Sequence, residues 1–249
     1  LHELGADVIA MGNHPNGFNI NKEVGATAPR ALRAAVIEHH ADLGIALDGD
    51  ADRLVMVDAR GLEYDGDQLL YAVAATQHKT TPVAGVVGTL MSNLGLEKAF
   101  EKLGIPFARA KVGDRYVLEQ LKERDWLYGG ESSGHILCLD KHSTGDGMVS
   151  ALQVLSAIRR TGKTLAELVS PVQMYPQTMI NVKITKGFDW ENHPPLQAAR
   201  AHAEKVLGDT GRILIRASGT EPLVRVMVEA QDATMAREQA KLMAESLQA

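Results

Sequence analysis

The chain has 249 residues, is 45% hydrophobic, carries a net charge of −5 and holds one cysteine. That is room for one large domain or two to three small ones with a real core. The negative balance argues against nucleic acid as a partner, the lone Cys138 rules out an intrachain disulfide, and no apolar run reaches the roughly 20 residues of a membrane helix. A cytoplasmic protein with neither a membrane nor a nucleic-acid partner is expected.

In chain order, Leu1-His2-Glu3-Leu4-Gly5 reads as the last turn of a helix closed by Gly5, so the chain is expected to start inside a domain, as a fragment of something longer. Residues 7–11 predict a short strand and 12–25 a loop rich in Gly, Asn and Pro. Thr27 is a candidate cap for a helix with Pro29 in its first turn, running to about His40. Two apolar runs follow, 43–47 and 54–57, on either side of Asp48-Gly49-Asp50-Ala51-Asp52-Arg53. A turn at 58–61 leads to a helix over 64–77, with a domain boundary near Glu63. Strands predicted at 83–87, 106–110, 127–129 and 135–139 alternate with helices at 92–103, 114–124 and 146–160. Such alternation argues for an α/β domain with a largely parallel sheet. Near Val172 the pattern changes to strands at 178–185, 212–216 and 223–228 with helices ending at Leu207 and Leu247, a small α+β domain.

Four stretches carry chemistry. In an extended backbone alternate residues share a side, so Asp48, Asp50 and Asp52 could converge. Three such charges repel unless a cation sits among them, and Mg2+ suits oxygen ligands completed by a phosphate, with Arg53 beside it as a phosphate ligand. Lys111-Val112-Gly113-Asp114-Arg115 opens a helix after a strand, a place where backbone N–H groups face an anion. Gly130-Glu131-Ser132-Ser133-Gly134-His135 sets a carboxylate and two hydroxyls between glycines. These groups suit sugar hydroxyls, and His135 could shuttle a proton. Arg216-Ala217-Ser218-Gly219-Thr220-Glu221-Pro222, with Arg225 on the next strand, has the make-up of a phosphate-binding nest.

The order of these motifs resembles the α-D-phosphohexomutase family. Asn19-Ile20-Asn21, Val24-Gly25-Ala26-Thr27 and Gly88-Thr89-Leu90-Met91-Ser92-Asn93 are similar to its bacterial glucosamine-phosphate branch. The resemblance covers essentially the whole chain. It implies two three-layer α/β domains, the first incomplete (1–63) and the second at 64–174, followed by a small α+β C-terminal domain at 175–249. It implies Mg2+ on Asp48, Asp50 and Asp52, and a sugar on Glu131 and Ser133. Phosphate falls to Arg216, Ser218, Gly219, Thr220 and Arg225. Arg53, Lys111 and His135 take the catalytic roles. The implied reaction interconverts glucosamine 6-phosphate and glucosamine 1-phosphate through a bisphosphate, primed by hexosamine or glucose 1,6-bisphosphate, in amino-sugar and cell-wall precursor synthesis. One departure is large. The family's phosphoserine sits in a Ser-His-Asn-Pro context, and Asn13-His14-Pro15 lacks the Ser, so this chain alone is expected to be inactive.

Alternatives stay open at this point. They are phosphomannomutase or phosphoglucomutase activity, or a non-catalytic sugar-phosphate binding module. A homo-oligomer is compatible with either. A rival from another family is the haloacid-dehalogenase phosphatase, whose acidic loop Gly145-Asp146-Gly147 resembles, although Met148-Val149 stands where a further acid belongs.

Overall fold

The structure, a computed structural model, describes residues 1–185, 187–218 and 221–248. The chain divides into two compact units. One is Leu1–Ser92 with Leu96–Val172, and the other is Asn93–Gly95 with the residues from Gln173 on.

The first unit opens with a 3-10 turn, His2–Leu4, closed by Gly5 in the left-handed conformation. Residues 7–11 form no strand; they have no ladder partner, and Ile9 and Met11 stay exposed, so the apolar side chains have nothing to pack on. Helix α1 (Arg30–Glu38) starts three residues after Thr27, with Pro29 rather than Thr27 at its N-cap. Strands β1 (Leu43–Leu47), β2 (Leu54–Asp58) and β3 (Glu63–Tyr64) make an antiparallel sheet. The short β3 carries no sequence signal. The β1–β2 ladder ends at the pair Leu47↔Leu54. The acidic stretch is therefore the loop of a β-hairpin.

Helix α2 (Gly66–His78) is capped by Asp65, which accepts from the Gln68 amide in a full capping box. It is followed by β4 (Val86–Thr89), α3 (Leu94–Glu101), β5 (Phe107–Ala110), α4 (Asp114–Arg124), β6 (Tyr128–Gly130), β7 (Ile136–Cys138), α5 (Gly147–Thr161) and α6 (Leu165–Val169). The sheet order is β5-β4-β6-β7. Strand β4 runs parallel to both β5 and β6, and β7 returns antiparallel to β6. The chain visits β5 on one side of β4 and then crosses to β6 on the other, so the order reverses at β4. In open α/β sheets ligands bind at such a switch point, beyond the carboxyl ends of the strands. Leu69, Leu70, Leu96, Phe100, Leu121 and Ile136 are fully buried and fill the core, and Cys138 is buried on β7.

The second unit is an antiparallel sheet of order β8-β10-β9, with β8 at Gln177–Lys183, β9 at Gly211–Ala217 and β10 at Leu223–Ala230. Helices α7 (Pro194–Leu207) and α8 (Ala233–Ser246) supply Leu196, Ala203, Leu207, Ala240 and Met243 to a core shared with Val224, Val226 and Val228. On β10 those valines alternate with Arg225, Met227 and Glu229, so this second set lies on the opposite face of the sheet. There Glu229 is fully buried and bound by its cross-strand neighbour Arg212 at 2.6 Å and by Gln177 at 2.6 Å.

Candidate active site

The hairpin loop between β1 and β2 does bring the three aspartates together, but not by extended alternation. The Ala51 amide donates to the Asp48 carbonyl at 3.1 Å, and Ala51 takes φ 60°, so the chain doubles back. A non-glycine residue in that region costs roughly 1–2 kcal/mol. One carboxylate oxygen from each of Asp48, Asp50 and Asp52 lies within 4.8 Å of the others. Asp48 also accepts from the Arg53 amide at 3.1 Å. The Arg53 guanidinium sits 3.7 Å from Asp48 and 3.9 Å from Asp52, partly balancing the cluster. Three convergent carboxylates are a donor set that fits a hard divalent cation such as Mg2+.

The sugar-type loop is also a hairpin loop. The β6–β7 ladder ends at Gly130↔Ile136, leaving Glu131 to His135 between. Its shape is held from three sides. Leu54 of β2 donates its amide to the Gly134 carbonyl at 3.0 Å, Gly66 of α2 donates to Ser132 at 3.1 Å, and the Gly134 amide donates to Glu131 at 3.0 Å. Gly134 has φ 100°, and a Cβ there would collide with the Leu54 backbone, so only glycine fits. His135 is buried, and its Nδ1 lies 3.0 Å from Asp52 Oδ2. Glu131 Oε1 accepts from the Gly113 amide at 2.9 Å, which fastens the loop to the start of α4.

These pieces border a cleft of about 420 Å³ lined by Asp52, Arg53, Glu131, Ser133 and His135, with Thr89, Met91, Gly113 and Asp114 completing its wall. Lys111 is not on that wall; its ammonium lies over the Tyr116 ring at 5.8 Å. Asp114 belongs to the stretch the sequence marked as a helix opening that faces an anion, and Thr89 and Met91 to the Gly88–Asn93 stretch that carried the family resemblance, but none was assigned a site role. They lie at or just beyond the carboxyl ends of β4 and β5, so the switch-point rule is the signal that finds them.

The Gly145-Asp146-Gly147 stretch is no phosphatase loop. Asp146 caps α5, accepting from the Val149 amide at 2.9 Å. The Gly147 amide donates to the Ala51 carbonyl at 2.8 Å. A Cβ on Gly147 would lie 2.9 Å from the carbonyl oxygens of both Ala51 and Arg53. The stretch is the floor on which the aspartate loop rests.

In the second unit the β9–β10 ladder ends at Ala217↔Val224, which puts Arg216 on β9 and Arg225 on β10. Ser218 accepts from the Glu221 amide at 3.3 Å. Arg216 and Arg225 are direct cross-strand partners, and both Nε atoms are buried without a hydrogen-bond partner among the described residues. Gly219 and Thr220 lie outside the described residues.

Residues 65–175 match the α/β/α domain III of phosphoglucomutase/phosphomannomutase, and 179–246 match the C-terminal domain of the same enzymes. The chain belongs to the phosphoglucomutase/phosphomannomutase family, the α-D-phosphohexomutases. It is 61% identical over 247 residues to a phosphoglucosamine mutase of Janthinobacterium sp. (strain Marseille), covering 99% of this chain and 56% of that protein. It is 62% identical over 233 residues to the phosphoglucosamine mutase of Dechloromonas aromatica, covering 94% and 52%. The chain thus spans about half the length of the curated relatives it matches. Two crystal structures of Aspergillus fumigatus N-acetylphosphoglucosamine mutase share the fold. The complex with GlcNAc-6P and magnesium has a TM-score of 0.72 and 22% identity, covering 93% of this chain and 57% of that one. A point variant of the same enzyme, in complex with glucose 1,6-bisphosphate, has a TM-score of 0.67 and 23% identity, covering 91% and 52%. Among the described residues no helix is long and apolar enough to cross a membrane.

Proposed function

We propose that this chain provides the metal, sugar and distal phosphate sites of a phosphoglucosamine mutase, which interconverts glucosamine 6-phosphate and glucosamine 1-phosphate through a bisphosphate. The supporting observation is the closure of two hairpin loops on one cleft, joined where His135 meets Asp52. Identity near 60% to phosphoglucosamine mutases supports the amino sugar over mannose or glucose phosphates.

Asp48, Asp50 and Asp52 would hold Mg2+, which when bound offsets negative charge on a transferring phosphoryl group. Arg53 adds a planar donor at the same place. Glu131 and Ser133 hold sugar hydroxyls, with Glu131 fixed in advance by the Gly113 amide. Asp52 orients His135, the proton carrier for the sugar oxygen that gains and loses the phosphoester. Arg216, Ser218, Gly219, Thr220 and Arg225 grip the non-reacting phosphate. Two arginines set directly opposite one another on a sheet repel, and a bound dianion turns that repulsion into attraction. Lys111, away from the cleft wall, attracts the anionic substrate at longer range.

The test is a hybrid in which this chain replaces the matching segment of the Janthinobacterium protein. Given Mg2+ and glucose 1,6-bisphosphate, it should convert glucosamine 6-phosphate to glucosamine 1-phosphate, followed by phosphorus NMR. A folded hybrid that works faster on mannose or glucose 6-phosphate would overturn the reading.

A further inference from the structure

Three acidic residues are on the cleft wall, Asp52, Asp114 and Glu131. Asp52 is engaged by His135 at 3.0 Å and lies 3.9 Å from Arg53. Glu131 receives the Gly113 amide at 2.9 Å. Asp114 has neither a hydrogen bond nor an ion pair from a side chain of the described residues. The cations next to it in sequence are turned elsewhere. Arg115 pairs with Glu119 at 2.8 Å, and Lys111 lies over the Tyr116 ring. Asp114 is thus an exposed acidic residue of the cleft wall with no side-chain partner among the described residues.

Resting on the sugar-phosphate reading above, we propose that Asp114 reads the cationic 2-amino group of the sugar and so sets the preference for an amino-sugar phosphate over its 2-hydroxy counterpart. An ammonium and a hydroxyl at the same carbon differ by one full charge. A carboxylate free to pair is the simplest device that tells them apart. Asp114 also begins α4, where a negative charge favours the helix macrodipole. That effect depends on charge alone and is blind to what the sugar carries, so substrate preference separates the two roles.

The test titrates the 249-residue chain, with Mg2+ present, against glucosamine 6-phosphate and glucose 6-phosphate. The proteins are the wild type, Asp114→Asn and, for comparison, Glu131→Gln. Asp114→Asn should weaken glucosamine 6-phosphate binding about fivefold, the upper end for an exposed ion pair, and leave glucose 6-phosphate unchanged. The wild-type preference should also shrink as salt is raised. Glu131→Gln should weaken both sugars together. Equal loss of both sugars in Asp114→Asn, or no loss of either, overturns the assignment of Asp114. A wild type that binds neither sugar phosphate overturns the sugar-phosphate reading itself, and the assignment falls with it.

Discussion

His135 Nδ1 stands 3.0 Å from Asp52 Oδ2, so the buried imidazole of one hairpin loop is tied to a carboxylate of another. The two residues are separated by 83 positions in sequence. Their meeting brings the aspartate loop and the Glu131–His135 loop onto one cleft. The amide of Leu54, one residue beyond Arg53, reinforces the join by donating to Gly134.

Asp50→Ala should abolish Mg2+ binding. Asp50 is exposed, so its loss should change stability by no more than about 0.5 kcal/mol. Calorimetry then reads the metal site without a folding complication. Equal Mg2+ affinity in variant and wild type would remove the aspartate loop from the metal role.

Gly147→Ala should weaken Mg2+ although no carboxylate is changed. The new methyl would press on the Ala51 and Arg53 carbonyls and on Leu47. Overpacking of this kind costs about 1–3 kcal/mol, and the loop should shift to relieve it. Thermal melts and Mg2+ titrations of the same sample check both effects, and an unchanged Mg2+ affinity would contradict the floor role.

Arg216→Ala should behave in opposite ways with and without phosphate. Without it, relief of the repulsion with Arg225 should leave the second unit as stable as before or firmer by about 0.2–1 kcal/mol. With it, the phosphate-induced rise in melting temperature should be lost, because a hydrogen bond to a charged group contributes about 1.5–3 kcal/mol. An undiminished phosphate response would exclude Arg216 from the grip.

Asp58 gives a prediction in pH. Burial alone would raise its carboxyl, but donors from Leu62, Arg60 and Tyr64 outweigh that and hold it below its ordinary 3.8. A group whose folded-state pKa is depressed stabilises fully above its unfolded value, and that contribution is lost as pH falls through the folded one. The stability gap between wild type and Asp58→Asn should therefore be constant near neutrality and narrow below about pH 4. Denaturant melts across that range measure it, and a gap that widens in acid would contradict the sign.

Much of this was legible in the sequence because local rules and global fold agree. The strands around the aspartates, the helix opening at Asp114 and the two loops of the cleft announce themselves by apolar runs broken at Gly, Asp and Ser. What was not legible is what tertiary contact decides. The aspartates converge through a left-handed residue at Ala51, which no periodicity encodes. The apolar pattern at 7–11 lacks a partner strand, so it stays irregular. Asp114 and Met91 reach the cleft because the strand order reverses at β4, and Lys111 lies over the Tyr116 ring instead.

On the proposed function, the cleft of the first unit binds a sugar phosphate together with Mg2+, and the phosphoryl carrier is not among these residues. The direct measurement is calorimetry and a mutase assay on the purified chain with glucosamine 6-phosphate, Mg2+ and a bisphosphate primer. In-line transfer needs a group that gives and receives the phosphoryl, and the proposed function gives Ser133 and Ser218 binding roles rather than that one. The expected result is weak, Mg2+-dependent binding with no glucosamine 1-phosphate formed. Turnover by the chain alone, or a complete absence of binding, would contradict it.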